Sequence, residues 1–294
     1  FNEFIEKARA NDLEYIGDTD VQRMYVGNMP KKAVEKLGTI NDIVRTEQYM
    51  DFINNTQFRC TVLSHKDTKI SRNITNDTVQ KFNYFCNIRP LEEKINIEDN
   101  SQATFYLDNN KERTLNSSAP EMKAILKTLS QNIGNPLSVD EIVAQASKLA
   151  PKASKANIKA NILNNFVNLI FSGVIKYIAN KPTSLYKVSN KPKISKLAML
   201  QIQTPKHNGV YWITNGMNQI VGFQNHQVGI VQALNGKNTI EQLKKLTLDD
   251  LKNNKISANE GDQKITDEKK LKAVADALVD QTLETLRTSY SFVA

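Results

Sequence analysis

A chain of 294 residues has room for two or three compact domains at roughly 100–150 residues each, and its 40% hydrophobic and 24% charged content is that of a globular protein. The longest apolar region, residues 166–178, is interrupted by Asn168, Ser172, Gly173 and Lys176, well short of the roughly 18–20 uninterrupted residues of a helical membrane span, so no membrane insertion is expected. The net charge of +8 is concentrated in residues 116–189, where nine cations, all lysines, face three carboxylates.

Residues 1–116 read as a mixed helix-and-strand domain. Phe1, Phe4, Ile5 and Ala8 fall on one side of an opening amphipathic helix. A chain that begins this way, without an initiator Met or the shape of a signal peptide, is expected to be part of something longer. Leu13 to Ile16 is extended and ends at Gly17-Asp18, and a helix from Lys31 to Leu37 follows Pro30. The run R-T-E-Q-Y-M-D-F-I-N-N-T-Q-F-R-C-T-V-L-S-H, residues 45–65, predicts a helix and then a strand. Its helical spacing assigns Tyr49, Phe52 and Ile53 to a buried face, with Glu47, Gln48, Asp51 and Asn54 pointing elsewhere. Among the polar residues, Glu47, Gln48, Asp51 and Arg59 are the candidates for structural or interaction roles, and Asp51 and Arg59 are expected to clasp helix to strand. Farther on, 103–107 and 113–115 flank Asp108-Asn-Asn-Lys111, which is hairpin chemistry.

Residues 117–189 predict three helices and a two-stranded hairpin, the outline of a winged helix. The first begins at Ser117-Ser-Ala-Pro-Glu121, the second at the capping box Ser138-Val-Asp-Glu141, and the third runs from about Lys155 to Ser172. The hairpin would join 174–178 to 185–188 through Asn180-Lys-Pro-Thr183. Residues 190–294 predict a C-terminal α+β domain: a helix through Ile194, Leu197 and Leu200, strands at 210–213 and 220–223, two more helices, a polar loop or short hairpin at 253–264, and a long last helix after Asp267. The fold class is α+β, mainly helical and multi-domain, with small antiparallel sheets.

A catalytic constellation is hard to find. The eleven glycines include no G-x-G, so neither a dinucleotide loop nor a P-loop is present, and there is no G-x-S-x-G elbow. His65, His207 and His226 are scattered, and Cys60 and Cys86 lack metal-ligand spacing, which leaves no metal site and favours buried free thiols in a cytoplasmic protein. The acidic pairs Glu92-Glu93, Asp249-Asp250 and Asp267-Glu268 read as solvated faces or caps. Trp212, in an alternating strand beside Tyr211, reads as packing. Lys155, Lys159, Lys176, Lys181 and Lys187 could place a nucleic acid on the winged helix, but the third helix continues N-I-L-N-N-F-V-N-L-I-F without an arginine, and nucleic-acid binding is disfavoured.

The run E-Q-Y-M-D-F followed by F-R-C-T-V-L, together with F-N-E-F-I-E-K-A-R-A-N-D-L-E-Y-I-G-D at 1–18, resembles the regulatory domain of bacterial S-adenosylmethionine-dependent methyltransferases. K-P-K-I-S-K-L-A-M-L-Q at 191–201, W-I-T-N at 212–215, N-H-Q at 225–227 and A-L-N-G-K-N-T-I-E-Q-L at 233–243 are similar to the C-terminal region of the protein-lysine type. N-H-Q stands where such proteins often carry an Arg-His pair, which puts a role for His226 in doubt. The resemblance implies an accessory region without the catalytic domain. S-adenosylmethionine would then bind in an N-terminal methyltransferase domain of the same protein and not in this chain. That domain and a protein substrate are the implied partners. A nucleic-acid-binding winged-helix regulator and a structural protein-interaction adaptor are the alternatives.

Overall fold

The structure is a computed structural model that describes residues 1–182, 184, 186–204, 210–260 and 263–293. It is an α+β protein made of two compact units, Phe1–Asn180 and Lys181–Ala294. Strand pairing is antiparallel throughout the described sheets, each of two or three strands.

The first unit opens with α1 (Asn2–Ala10) and β1 (Leu13–Asp18). Two short 3₁₀ turns, Val21–Met24 and Val26–Asn28, lead to α2 (Lys31–Leu37) and α3 (Ile43–Asn54). Asp42 caps α3 by accepting from the Arg45 N–H, and Asn55 stops it in the left-handed conformation at φ 50°. β2 (Thr61–His65) then returns beside β1, with a register shift between Tyr15 and Gly17.

The chain continues through α4 (Asn76–Gln80), β3 (Asn83–Phe85), β4 (Ile88–Pro90), β5 (Ala103–Leu107) and β6 (Asn110–Ser117). Asp108 and Asn109 take positive φ at the turn between β5 and β6, which is what short polar side chains tolerate in a tight hairpin. Next come α5 (Pro120–Gln131), β7 (Leu137–Ser138), α6 (Val139–Leu149), α7 (Lys155–Phe171) and β8 (Lys176–Ile178). The Ser138–Glu141 capping box forms, whereas α5 is capped by Ala119 and not by a serine. Gly173, at φ +71°, turns the chain out of α7, and a Cβ there would meet the Gln22 side chain at 2.5 Å.

Two expectations change here. Residues 116 and 117 are not a break between cores, because Tyr84, Ile88 and Phe105 from the strands pack in one cluster with Ile125, Ile142 and Phe166 from the three helices. Among the described residues the strand beside β8 is β3, in the order β7-β3-β8. Residues 186–188 form no strand, and Thr183 and Leu185 lie outside the described residues.

The second unit contains α8 (Lys196–Gln203), the hairpin β9 (Tyr211–Thr214) and β10 (Ile220–Phe223), α9 (Asn225–Gln232), α10 (Ile240–Lys252), the short hairpin β11 (Asn259–Glu260) and β12 (Gln263–Lys264), and α11 (Glu268–Thr288). Its core joins Ile202, Ile213, Val231, Val279, Leu286 and Phe292. α8 buries Ala198 and Ile202, leaving Leu197 and Leu200 exposed, so its inward face is rotated from the expected one.

One buried cation ties a long connection to the first core. The fully buried Lys123 on α5 donates through Nζ to the carbonyls of Asn96 (2.7 Å), Asp99 (2.7 Å) and Ser101 (3.0 Å) and to Asp99 Oδ1 (3.1 Å). Hydrogen bonds from Ser101 and Lys123 hold the Asp99 carboxyl below its ordinary pKa. Replacing Lys123 by Met would leave these acceptors unmatched and should lower the unfolding free energy by about 2–4 kcal/mol. Urea denaturation measures it, and a loss below about 1 kcal/mol would show that the connection does not depend on this lysine.

Candidate interaction site in the first unit

The polar candidates of residues 45–65 meet around one guanidinium. Arg59 lies in the short connection between α3 and β2, and α3 presents Glu47 and Asp51 one turn apart on the side that faces it. Arg59 Nη1 donates to Glu47 Oε2 at 2.6 Å, Nε to Asp51 Oδ2 at 2.7 Å, and Nη2 to the Glu47 carbonyl at 3.3 Å. From β1, the Tyr15 hydroxyl donates to the same Glu47 Oε2 at 2.7 Å. The Phe1 ring closes the cluster, its centroid 3.9 Å from the Arg59 guanidinium carbon and 5.1 Å from the Tyr15 ring, edge to face. Gln48 stands outside that network and accepts from the Asn2 backbone N–H at 3.0 Å. The four candidates thus lie together, three of them in one network, joined by Tyr15 and Phe1.

Burial makes this network costly to disturb. Glu47 is 1% exposed, and its Oε1 has no hydrogen-bond partner. Burial, reinforced by the bond to Glu47, pushes the Tyr15 hydroxyl far above its ordinary pKa, so it remains a donor. Burial works against the charge on Arg59, but the bonds to Asp51 and Glu47 outweigh it and hold the guanidinium protonated.

The orientation of α3 follows from this network and overturns the expected buried face. Val44, Glu47 and Met50 turn inward, while Tyr49, Phe52 and Ile53 stand exposed. Two carboxylates committed to a largely enclosed arginine, its side chain 11% exposed, fix which side of the helix faces β1 and β2, and the aromatic side is left outside. Phe58 is also exposed, and a cavity of about 540 Å³ opens between α1, α3 and the 55–61 connection, lined by Phe4, Phe52, Phe58, Gln48, Asn55 and Gln57 among others.

Elsewhere the candidates are structural. Asp267 caps α11, Asp250 pairs with Lys255 at 3.0 Å, and Glu268 pairs with Lys252, while Glu92 and Glu93 are exposed. No group of three or more His, Cys, Asp or Glu residues able to hold a metal occurs among the described residues. His65 is exposed, His226 half-buried, and His207 lies outside the described residues. Both cysteines are free, but Cys60 is exposed and precedes β2, contrary to the buried strand position expected; burial pushes the Cys86 thiol up to about 12. Trp212 in β9 is half-buried. The lysines considered for nucleic acid are divided between the units, and Lys159 already pairs with Asp140 at 3.3 Å.

Residues 1–65 match a family profile described as a predicted methyltransferase regulatory domain, and residues 190–290 match one described as the PKMT C-terminal winged helix domain. An uncharacterized protein of Rickettsia prowazekii, RP027, is 31% identical over 252 residues, which span 83% of this chain and 100% of that protein. The chain belongs to the same family as RP027. A second protein of that organism, RP789, is 35% identical over 288 residues, 97% of this chain and 51% of its own length. PKMT2 of Rickettsia typhi, solved alone and in complex with AdoHcy, is 35% identical with a TM-score of 0.84, covering 100% of this chain and 58% of that one. The chain therefore spans about half the length of RP789 and less than three fifths of PKMT2. It carries methyltransferase-associated regulatory and winged helix domains; the winged-helix match falls on residues 190–290, where the sequence reads as a C-terminal α+β domain, and not on residues 117–189, where a winged helix is expected.

Removing Arg59 would strand two inward-facing carboxylates. Arg59→Ala should cost about 3–5 kcal/mol of stability, and Arg59→Lys should recover less than half of it, because an ammonium lacks the planar fork that meets Glu47 and Asp51 together. Urea denaturation of both variants checks this; a loss of about 1 kcal/mol or less for Arg59→Ala would reduce the network to a surface ion pair.

Proposed function

We propose that this chain is the regulatory and substrate-recognition part of an S-adenosylmethionine-dependent methyltransferase that acts on protein lysines, and that a separate domain holds the methyl donor. The observation that carries the reading is the likeness of the whole chain, at a TM-score of 0.84, to a part of PKMT2 that makes up 58% of that protein. The two domain matches at opposite ends of the chain support it.

The residues of the largest described cavity do not fit a methyl-donor site. No glycine lines it to let backbone approach the ligand, and its one carboxylate, Asp51, is already bound to Arg59. The absence of any G-x-G in the sequence agrees. On this reading the chain contributes position, not chemistry. Methyl transfer to a lysine needs a neutral amine aligned with the donor carbon, and holding a large substrate in register is work for an accessory region.

Isothermal titration of the chain alone with S-adenosylmethionine tests the division of labour. No saturable heat is expected; a stoichiometric site of micromolar affinity would place the donor in this chain and defeat the reading.

A further inference from the structure

Phe4, Tyr49, Phe52, Ile53 and Phe58 form an exposed apolar face on the first unit, with Phe52 71% and Phe58 82% exposed. Phe4, Phe52 and Phe58 line the 540 Å³ cavity, and Tyr49 and Phe52 line a neighbouring one of about 200 Å³ that shares Gln48 with it, so the rings are continuous. Burying one such ring stabilises by about 1.5–3 kcal/mol, and this face forgoes that several times over unless something covers it.

The face is also held rigid. The Thr56 N–H donates to the Asp51 carbonyl at 2.9 Å, Arg23 Nη1 donates to the Phe58 carbonyl at 3.0 Å, and Arg59 fixes the following residue to α3. Phe58 therefore projects from a pinned backbone, and little ordering entropy would be lost on docking. The polar groups around the rings are mostly the amides and hydroxyls of Gln48, Asn55, Thr56 and Gln57; Arg59 is held by Glu47 and Asp51, and Arg45 is an exposed cation beside the smaller cavity. An apolar centre with a mainly uncharged polar surround is the composition of a protein–protein interface, and Arg45 alone does not make the cluster of cations that nucleic acid requires.

RP027 is matched over its whole length, but the lengths of the two longer relatives point to the occupant. RP789 and PKMT2 each have a large part that this chain does not cover, the uncovered shares being what remains beyond 51% and 58%. The face lies within residues 1–65, the segment matched to a methyltransferase regulatory domain, where contact with a catalytic domain would act. We infer that the face formed by Phe4, Tyr49, Phe52, Ile53 and Phe58 is the docking surface for a methyl-donor-binding domain. The inference rests on the proposed function and adds the surface through which the two parts meet.

The test uses the polypeptide encoded by the whole gene, with the photoreactive p-benzoylphenylalanine in place of Phe52 or of Phe58, irradiated and mapped by mass spectrometry. Crosslinks to a segment outside residues 1–294 that is also photolabelled by S-adenosylmethionine are expected. Crosslinks confined to a second copy of this chain or to an added protein substrate, or none at all, overturn the docking surface. Titration of the same polypeptide with S-adenosylmethionine separates the two claims: no binding removes the proposed function, and binding without the crosslink removes the docking surface alone. In a second measurement, Phe52→Glu combined with Phe58→Glu should leave the thermal melt of residues 1–294 unchanged while lowering methyl transfer by the whole protein about tenfold or more, since charged groups at an interface centre are strongly disfavoured. Unchanged methyl transfer would contradict the docking role.

Discussion

Arg59 is the residue on which the first sixty-five positions depend. Its guanidinium links two carboxylates of α3 to the connection entering β2, and Glu47 in turn accepts from Tyr15 on β1. Helix, strand and connection are thereby held by charge and hydrogen bonding more than by apolar volume; the apolar cluster at this place is small, built on Ile5, Tyr15 and Val44. Buried ion pairs seldom add much net stability over a well-packed apolar substitute, because desolvation opposes the Coulomb gain, but they discriminate strongly between orientations. Here that discrimination decides which face of α3 turns inward.

The consequence runs from packing to function. Because Glu47 and Asp51 face Arg59, the rings of Tyr49 and Phe52 cannot, and they join Phe4 and Phe58 on the outside. Lys123 plays a comparable part farther along, gathering the carbonyls of residues 96, 99 and 101 onto α5 beneath a connection with few apolar anchors of its own. In both places a single enclosed cation, Lys123 fully buried and Arg59 nearly so, organises irregular backbone, and the larger apolar cores lie between the helices and small sheets that follow.

Much of the architecture was legible in the sequence because it is local. Pro30, the Ser138–Glu141 box, Asp267 and the Asp108-Asn109 turn mark element boundaries through backbone chemistry that does not depend on distant residues. The candidate site was legible in its members, Glu47, Gln48, Asp51 and Arg59, but not in its orientation. Periodicity assigns the aromatic side of α3 to the core, and the contacts of Glu47 and Asp51 with Arg59 and of Glu47 with Tyr15, 32 residues earlier, reverse that assignment. Long-range pairing also hid the place of β3: a three-residue strand beside β8 and β7 carries no periodic signal strong enough to compete with the apparent local hairpin. Tyr15 itself gave one faint sign, its position two residues before Gly17 at the end of an extended stretch, where the register shift occurs.

The chain combines an exposed aromatic face within its methyltransferase-associated regulatory domain with a second unit that matches a PKMT winged helix domain. The account turns on the inward charges and outward rings of α3. Hydroxyl-radical footprinting of the chain, read by mass spectrometry, measures that directly, because Met50 is intrinsically the more reactive side chain yet is only 1% exposed. The structure requires Tyr49, Phe52 and Phe58 to oxidise readily in the folded chain while Met50 is protected until the chain unfolds. Rapid oxidation of Met50 with protection of Phe52 would mean that the aromatic side faces the core, and the account would fail.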